Sequence, residues 1–187
     1  MRGTIMRTTR RTSERHDEGN LLKGLMAGVI GGLVASLAMN QFQALWSKLA
    51  EEAEQAQSKK KKKKSQESGG DDATVKAAEA ISEGVFDHEL TKSEEKIAGP
   101  AVHYAMGATS GAIYGAMAEL TPLATVGAGL PFGTAVWLVA DEAALPALGL
   151  SKSPTEVPLS THAYALASHF VYGLTTEVVR RAVRNAL

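Results

Sequence analysis

Four stretches of this chain carry no Lys, Arg, Asp or Glu: residues 24–47, 97–118, 120–140 and 157–176, the shortest being 20 residues long. A helix rises about 1.5 Å per residue, so each stretch could cross a hydrocarbon core of roughly 30 Å. A soluble domain would intersperse charges of both signs along segments of this length. The pattern predicts an all-α protein, a four-helix transmembrane bundle with spans at 24–47, 98–119, 126–145 and 160–180. The overall balance of 20 basic against 20 acidic residues hides this. It sums a tail at 1–23 (six basic, three acidic), an insert at 48–96 (ten against twelve) and a remainder at 97–187 (four against five). Cysteine is absent, which excludes disulfides, thiolate nucleophiles and cysteine-ligated metals.

The tail holds Arg2, Arg7, Arg10, Arg11, Arg15 and Lys23 without an apolar run, and reads as disordered. Trp46, at the far end of the first window, suits an interfacial anchor. Ser36-Leu37-Ala38 also offers a small-x-small pattern that a signal peptidase would recognise, although the apolar stretch continues past it. In the insert, residues 58–70 are low in complexity and include six consecutive lysines at 59–64, the composition of a flexible linker. No aromatic residues interleave with those lysines, so they read as a solvated run balancing nearby acids, and no nucleic-acid partner is expected. From Asp72, taken as an N-cap, Val75, Ala78, Ile81 and Val85 recur at helical spacing and predict an amphipathic helix at 72–90. Gly99-Pro100 reads as the start of the second span, Pro131 as a kink in the third, and Arg180, Arg181 and Arg184 as the basic end of the fourth. Four spans put both termini on one side; the short basic tails favour the cytoplasm, with the insert outside.

Gly24, Gly28, Gly32, Ser36 and Asn40 are spaced by four, as are Gly99, His103, Gly107, Gly111, Gly115 and Glu119. Small residues at that spacing let helix backbones touch, which drives association where lipid is as apolar as the side chains. A repeat accompanies them. Ser110, Tyr114, Gly115 and Glu119 match Ser168, Tyr172, Gly173 and Glu177 at an offset of 58; Gly28, Gly32 and Asn40 match Gly129, Gly133 and Asp141 more weakly at an offset of 101. The chain thus reads as two related helix hairpins, repeated in parallel.

Ionisable groups within spans are costly and face the bundle interior or a wet cavity. Asn40, His103, Asp141, Glu142, His162 and His169 are expected to form one outer cluster, and Glu119, Glu177, Arg180 and Arg181 an inner one. Three readings stand for the outer cluster: interhelical hydrogen bonding, proton handling by His beside a carboxylate, and a divalent-metal site from His103, His162 and Asp141 or Glu142. No local HxxxH or HExxH pair supports the last, and no metal, cofactor or catalytic residue is assigned. The inner glutamates read as salt-bridged to Arg180 or Arg181. The cluster GAGLPFG at 127–133 reads as helix packing rather than phosphate binding.

The pattern His103-x3-Gly107, Tyr114-Gly115-x3-Glu119, His169-Phe-Val-Tyr172, Glu177-Val-Val-Arg180-Arg181 and Arg184-Asn185 resembles the YagU-like family of small bacterial inner-membrane proteins of unknown function. The resemblance covers residues 97–187 and, more loosely, the first window; the six-lysine run departs from it. It implies a multi-pass protein of the bacterial inner membrane with its first loop outside. The expectation is therefore a non-enzymatic protein whose outer cluster senses or conducts protons or a small cation. The alternative is a structural or partner-binding envelope protein whose glycine faces and amphipathic insert assemble with a second copy or another envelope protein.

Overall fold

The computed structural model describes the backbone of residues 2–57, 69–86 and 90–187, and the side chains of 20–52, 73–84 and 90–187. All regular structure among these residues is helical: α1 (Arg2–Gln57), α2 (Gly69–Phe86), α3 (Lys92–Leu120), α4 (Leu130–Val139) and α5 (Leu159–Ala186). The six-lysine run lies outside the described residues.

Several boundaries correct the expectations. α1 begins at Arg2, where a disordered tail was expected; no proline interrupts residues 2–57, so nothing in the backbone stops the helix. α2 begins at Gly69, three residues before Asp72, and its buried face is Ala73, Ala78 and Ser82, with Ile81 turned outward. α3 starts at Lys92 rather than at Gly99, because Thr91 and Glu94 form a capping box: the Thr91 amide donates to Glu94 Oε2 at 2.8 Å. Pro100 therefore sits inside the helix. Pro131 does the opposite, standing in the first turn of α4 rather than kinking a longer span. It has no N–H to lose there, and its fixed φ suits that position. Before it, Gly127, Ala128 and Gly129 all take left-handed backbone angles, so GAG is a turn into the helix. Past Val139, α4 widens into a π turn over Ala140–Ala144, in which the Leu145 amide reaches back to Ala140. Pro146 accounts for the widening, since it cannot donate to the Glu142 carbonyl and its ring would clash there.

α1 is the centre of the bundle, packed on α3 and α5; α4 lies on α5, and α2 on α3. The α1–α3 contact is backbone on backbone. A Cβ added to Gly28 would lie 2.1 Å from the Gly111 carbonyl oxygen, and one added to Gly32 would lie 2.1 Å from that of Gly107. Gly24 faces Gly115 in the same series, so the helices run antiparallel. Between α4 and α5, Gly129 faces Gly173 and Gly133 faces His169, again antiparallel. Each pair is thus an antiparallel hairpin packed through glycine. Phe132 closes the seam between them, 4.3 Å from the Tyr114 ring centroid and 5.8 Å from that of Tyr172.

The interior is unusual in what it holds. Its buried apolar side chains are mostly alanines, with Met39, Tyr114 and Tyr172, while Ser36, Ser168, His169, Thr176, Glu177 and Arg180 are buried beside them. Leucines, isoleucines and valines point outward instead, among them Leu33, Leu37, Ile113, Leu123 and Val139. Among the described residues, one segment, Asn20–Glu52, is long and apolar enough by itself to cross a membrane. The other three charge-free windows fall on helices made largely of small and hydroxylic residues, or, for α4, on a regular segment of only 10 residues.

The packing predicts an ordered response to added methyl groups. Gly28→Ala and Gly111→Ala each force the α1–α3 backbones apart, at a cost of about 1–3 kcal/mol or more, whereas Gly84→Ala, with nothing within 4 Å, costs nothing and gains up to about 1 kcal/mol of helix propensity within α2. Thermal unfolding of the detergent-purified variants, followed by tryptophan fluorescence, measures this; equal melting temperatures for all three would contradict the close packing.

Candidate functional site

One face of α5 gathers most of the buried polar groups. His169, Tyr172, Thr176, Glu177 and Arg180 are all buried, and His162 lies two turns before His169 on the same side. From His162 to Arg180 the row covers 19 residues, about 27 Å of helix.

At its start the π turn of α4 presents two consecutive carboxylates to α5. His162 Nδ1 lies 2.6 Å from Glu142 Oε1 and its Nε2 lies 3.0 Å from the Pro154 carbonyl oxygen. A carbonyl only accepts, so Nε2 carries a proton. The remaining proton is then shared across the 2.6 Å contact, as imidazolium with carboxylate or as imidazole with carboxylic acid. His169 donates from Nδ1 to the Ala165 carbonyl at 2.9 Å, with Asp141 Oδ2 3.7 Å away. Trp137 stands edge-on to His162, with ring centroids 6.5 Å apart.

The six residues expected in one outer cluster form two groups. Asp141, Glu142, His162 and His169 come together between α4 and α5. Asn40 and His103 instead line a cavity among α1, α2, α3 and α5, and Asn40 donates to the Tyr104 hydroxyl at 3.4 Å. The reason is the helix order: α1 and α3 make one hairpin, α4 and α5 the other. A metal site joining His103 to His162 is therefore not assembled. Among the described residues no three His, Asp or Glu side chains converge as metal ligands.

In the middle of the row, Tyr172 donates to the Gly107 carbonyl at 2.7 Å and lies 2.8 Å from Ser110 Oγ, tying α5 to α3. Thr176 donates back to the Tyr172 carbonyl at 2.8 Å. At the far end Glu177, only 1% exposed, accepts from Arg180 Nε at 2.7 Å and Nη2 at 3.1 Å, and also from Arg181 Nε. The Arg180 guanidinium sits 5.9 Å from the Tyr114 ring centroid, a cation–π distance. Glu119 was expected to pair with Arg180 or Arg181. It pairs with Arg184, whose Nε lies 2.7 Å from Oε1 and whose Nη2 also donates to Asn20 Oδ1 at 3.0 Å. The hydrogen bond that Arg184 donates to Glu119 holds it above its ordinary pKa. Arg184 is seven residues from Glu177, and so on its helical face; that spacing was the sequence signal for its role. Ser110, Tyr114 and Tyr172 were visible in the 58-residue repeat only as packing residues.

Residues 80–178 match a family model described as "Protein of unknown function (DUF1440)". This is more than half of the chain, and the protein belongs to that family. The match takes in the His/carboxylate group and Glu177, and ends before Arg180. No curated protein and no solved structure matches the chain.

The two glutamates predict unequal costs. Glu177→Ala leaves Arg180 buried without its partner and destabilises by about 3–5 kcal/mol. Glu119→Ala, at a pair whose side chains are 16% and 25% exposed, costs about 1 kcal/mol or less. Unfolding midpoints of the two variants in the same detergent read this difference; equal losses would show that Glu177 is not the tighter clamp.

Proposed function

We propose that the protein is a multi-pass membrane bundle of the bacterial inner membrane, of the YagU-like kind, that binds and passes protons through its His/carboxylate row. The observation that carries this reading is the polarity of the bundle: titratable and hydroxylic groups inside, along about 27 Å of α5, under an exterior of leucine, isoleucine and valine. In water that arrangement would be costly, because it exposes apolar surface and buries charge. In lipid the exterior is matched, and the buried groups fall where intramembrane ionisable residues serve ion or proton movement. Four crossings follow from the antiparallel order of α1, α3, α4 and α5, with α4 carried on through its π turn to Ala147. Small, hydroxylic helices are adequate spans when their polar faces are covered by neighbours.

In this reading Glu142–His162 accepts a proton at one end, since the pair has one mobile proton between two heavy atoms. Asp141 and His169 lie next along α5, and the Tyr172–Ser110 hydroxyl pair follows. The Glu177–Arg180–Arg181 group supplies the charged end of the row.

The alternative, a structural or partner-binding envelope protein without transport, loses one of its supports. The glycine faces are consumed by contacts within the chain, so a partner would meet apolar exterior such as Leu120 and Leu123 instead.

Two measurements test the proposal. The chain resists carbonate extraction, and reporters placed within residues 58–68 and after Leu187 fall on opposite sides of the membrane; release by carbonate overturns the membrane reading. In proteoliposomes loaded with a pH-sensitive dye, the double variant His162→Ala, His169→Ala lowers proton flux at least about tenfold, a change of roughly 1.4 kcal/mol in barrier. Flux equal to that of the unaltered protein, with the variant still folded, overturns proton passage and leaves the membrane reading standing.

A further inference from the structure

A cavity of about 450 Å³ opens where the C-terminal part of α1 meets α2, the first turns of α3 and the start of α5. It takes no part in the His/carboxylate row; Glu142, His162 and His169 do not line it. Its volume falls in the range of small-molecule sites. Val75 of α2 holds one wall, its Cγ2 seated where a Cβ on Gly99 would come within 2.8 Å. Without α2 the cavity would be an open groove.

The lining mixes apolar with polar side chains and carries both signs of charge. Asn40 and Gln43 contribute amides, and Ser47 and Thr74 hydroxyls. Glu95, half-buried, and Lys96, exposed at the rim, contribute one carboxylate and one ammonium. A purely anionic or purely cationic ligand would leave one of those charges unmatched. Glu95 and Lys96 are consecutive on a helix, so their side chains leave the axis about 100° apart and their charged ends diverge. A zwitterion carrying an ammonium and a phosphate answers both charges, and a phosphate offers several oxygens to the surrounding amide and hydroxyl donors.

The aromatic side chains around the cavity point to a source. Phe42, Trp46 and Tyr164 form an aromatic group beside it: ring centroids lie 6.0 Å apart for Phe42 and Trp46, and 5.8 Å for Trp46 and Tyr164. Tyr164 itself lines the cavity, and Trp46 is half exposed. Such belts mark the membrane–water interface, the level of lipid headgroups.

We infer that this cavity binds a phosphoethanolamine zwitterion, with the ammonium at Glu95 and the phosphate at Lys96 and its neighbouring donors. The inference rests on the membrane reading only for the source, a phospholipid headgroup; the chemistry of the site stands without it.

The full chain in mild detergent tests it, titrated separately with phosphatidylethanolamine, phosphatidylglycerol and soluble phosphoethanolamine, and read by native mass spectrometry and melting temperature. Phosphatidylethanolamine binds as one retained copy, at least about tenfold tighter than phosphatidylglycerol. Glu95→Gln and Lys96→Gln each weaken it about tenfold, as does Ser47→Leu, which fills the cavity and leaves both charges in place. If soluble phosphoethanolamine competes at comparable concentration, the site is confirmed and its source is a free zwitterion; if only the lipid binds, the source is the headgroup. Equal binding of both lipids, or unchanged binding in all three variants with melting temperatures preserved, overturns the inference. Because binding is read in detergent, failure here is separate from failure of carbonate resistance.

Discussion

The contact on which the rest of the bundle depends is the meeting of the α1 and α3 backbones through glycine. Three glycines on each helix face one another, and the nearest carbonyl oxygens stand where a side chain would begin. Such a contact has one register, because any slip would put a side chain where only hydrogen fits. Register fixes the neighbours in turn. With Gly107 against Gly32 and Ser36, its carbonyl is held where Tyr172 of α5 donates to it. Gly31, on another side of α1, brings Thr176 and Arg180 of α5 close by the same means. The polar row of α5 is therefore aligned by helices that contribute few polar groups of their own.

This arrangement inverts the usual division between core and surface. Hydrophobic burial is a weak source of cohesion here, since the large apolar side chains are outside and alanines and glycines are inside. Cohesion comes from dense backbone packing and from hydrogen bonds and ion pairs in the interior. Each buried charge has a partner drawn from a defined place: Glu177 from the next turn of its own helix, Glu119 from Arg184 across the helix interface. The pairs confer specificity of assembly more than net stability, because desolvation offsets much of their attraction.

Much of this was legible in the sequence. The charge-free windows gave helices at their places, and spacing by four identified the faces of α1 and α3 that touch. The 58-residue offset identified Tyr114 with Tyr172 and Glu119 with Glu177. Other features depended on local backbone chemistry that window lengths do not register. Pro131 reads as a kink until Gly127–Gly129 is seen as a left-handed turn that makes it the first helical turn. The capping box of Thr91 and Glu94 is a short polar signal ahead of the apolar stretch, and it starts α3 seven residues before Gly99. The division of the outer cluster was not legible at all, since helical spacing orders residues along a helix but does not say which helices are neighbours.

The repeat also shows how two similar hairpins came to different chemistry. If the halves were superimposable, Gly129 would face the mate of the residue that Gly28 faces, which is His169, the counterpart of Gly111. It faces Gly173 instead, and Gly133 takes His169. The second hairpin is thus slipped by four residues, about 6 Å and just over one helical turn. α4 accommodates it by starting only at Leu130, after its glycine turn, whereas α1 runs through the equivalent position without a break. The shifted pairing brings the π turn, and with it Asp141 and Glu142, level with His169 and His162. In the first hairpin the corresponding position is Asn40, which reaches only the Tyr104 hydroxyl. One turn of register separates a hairpin that holds an amide beside a phenol from one that holds two carboxylates against two imidazoles.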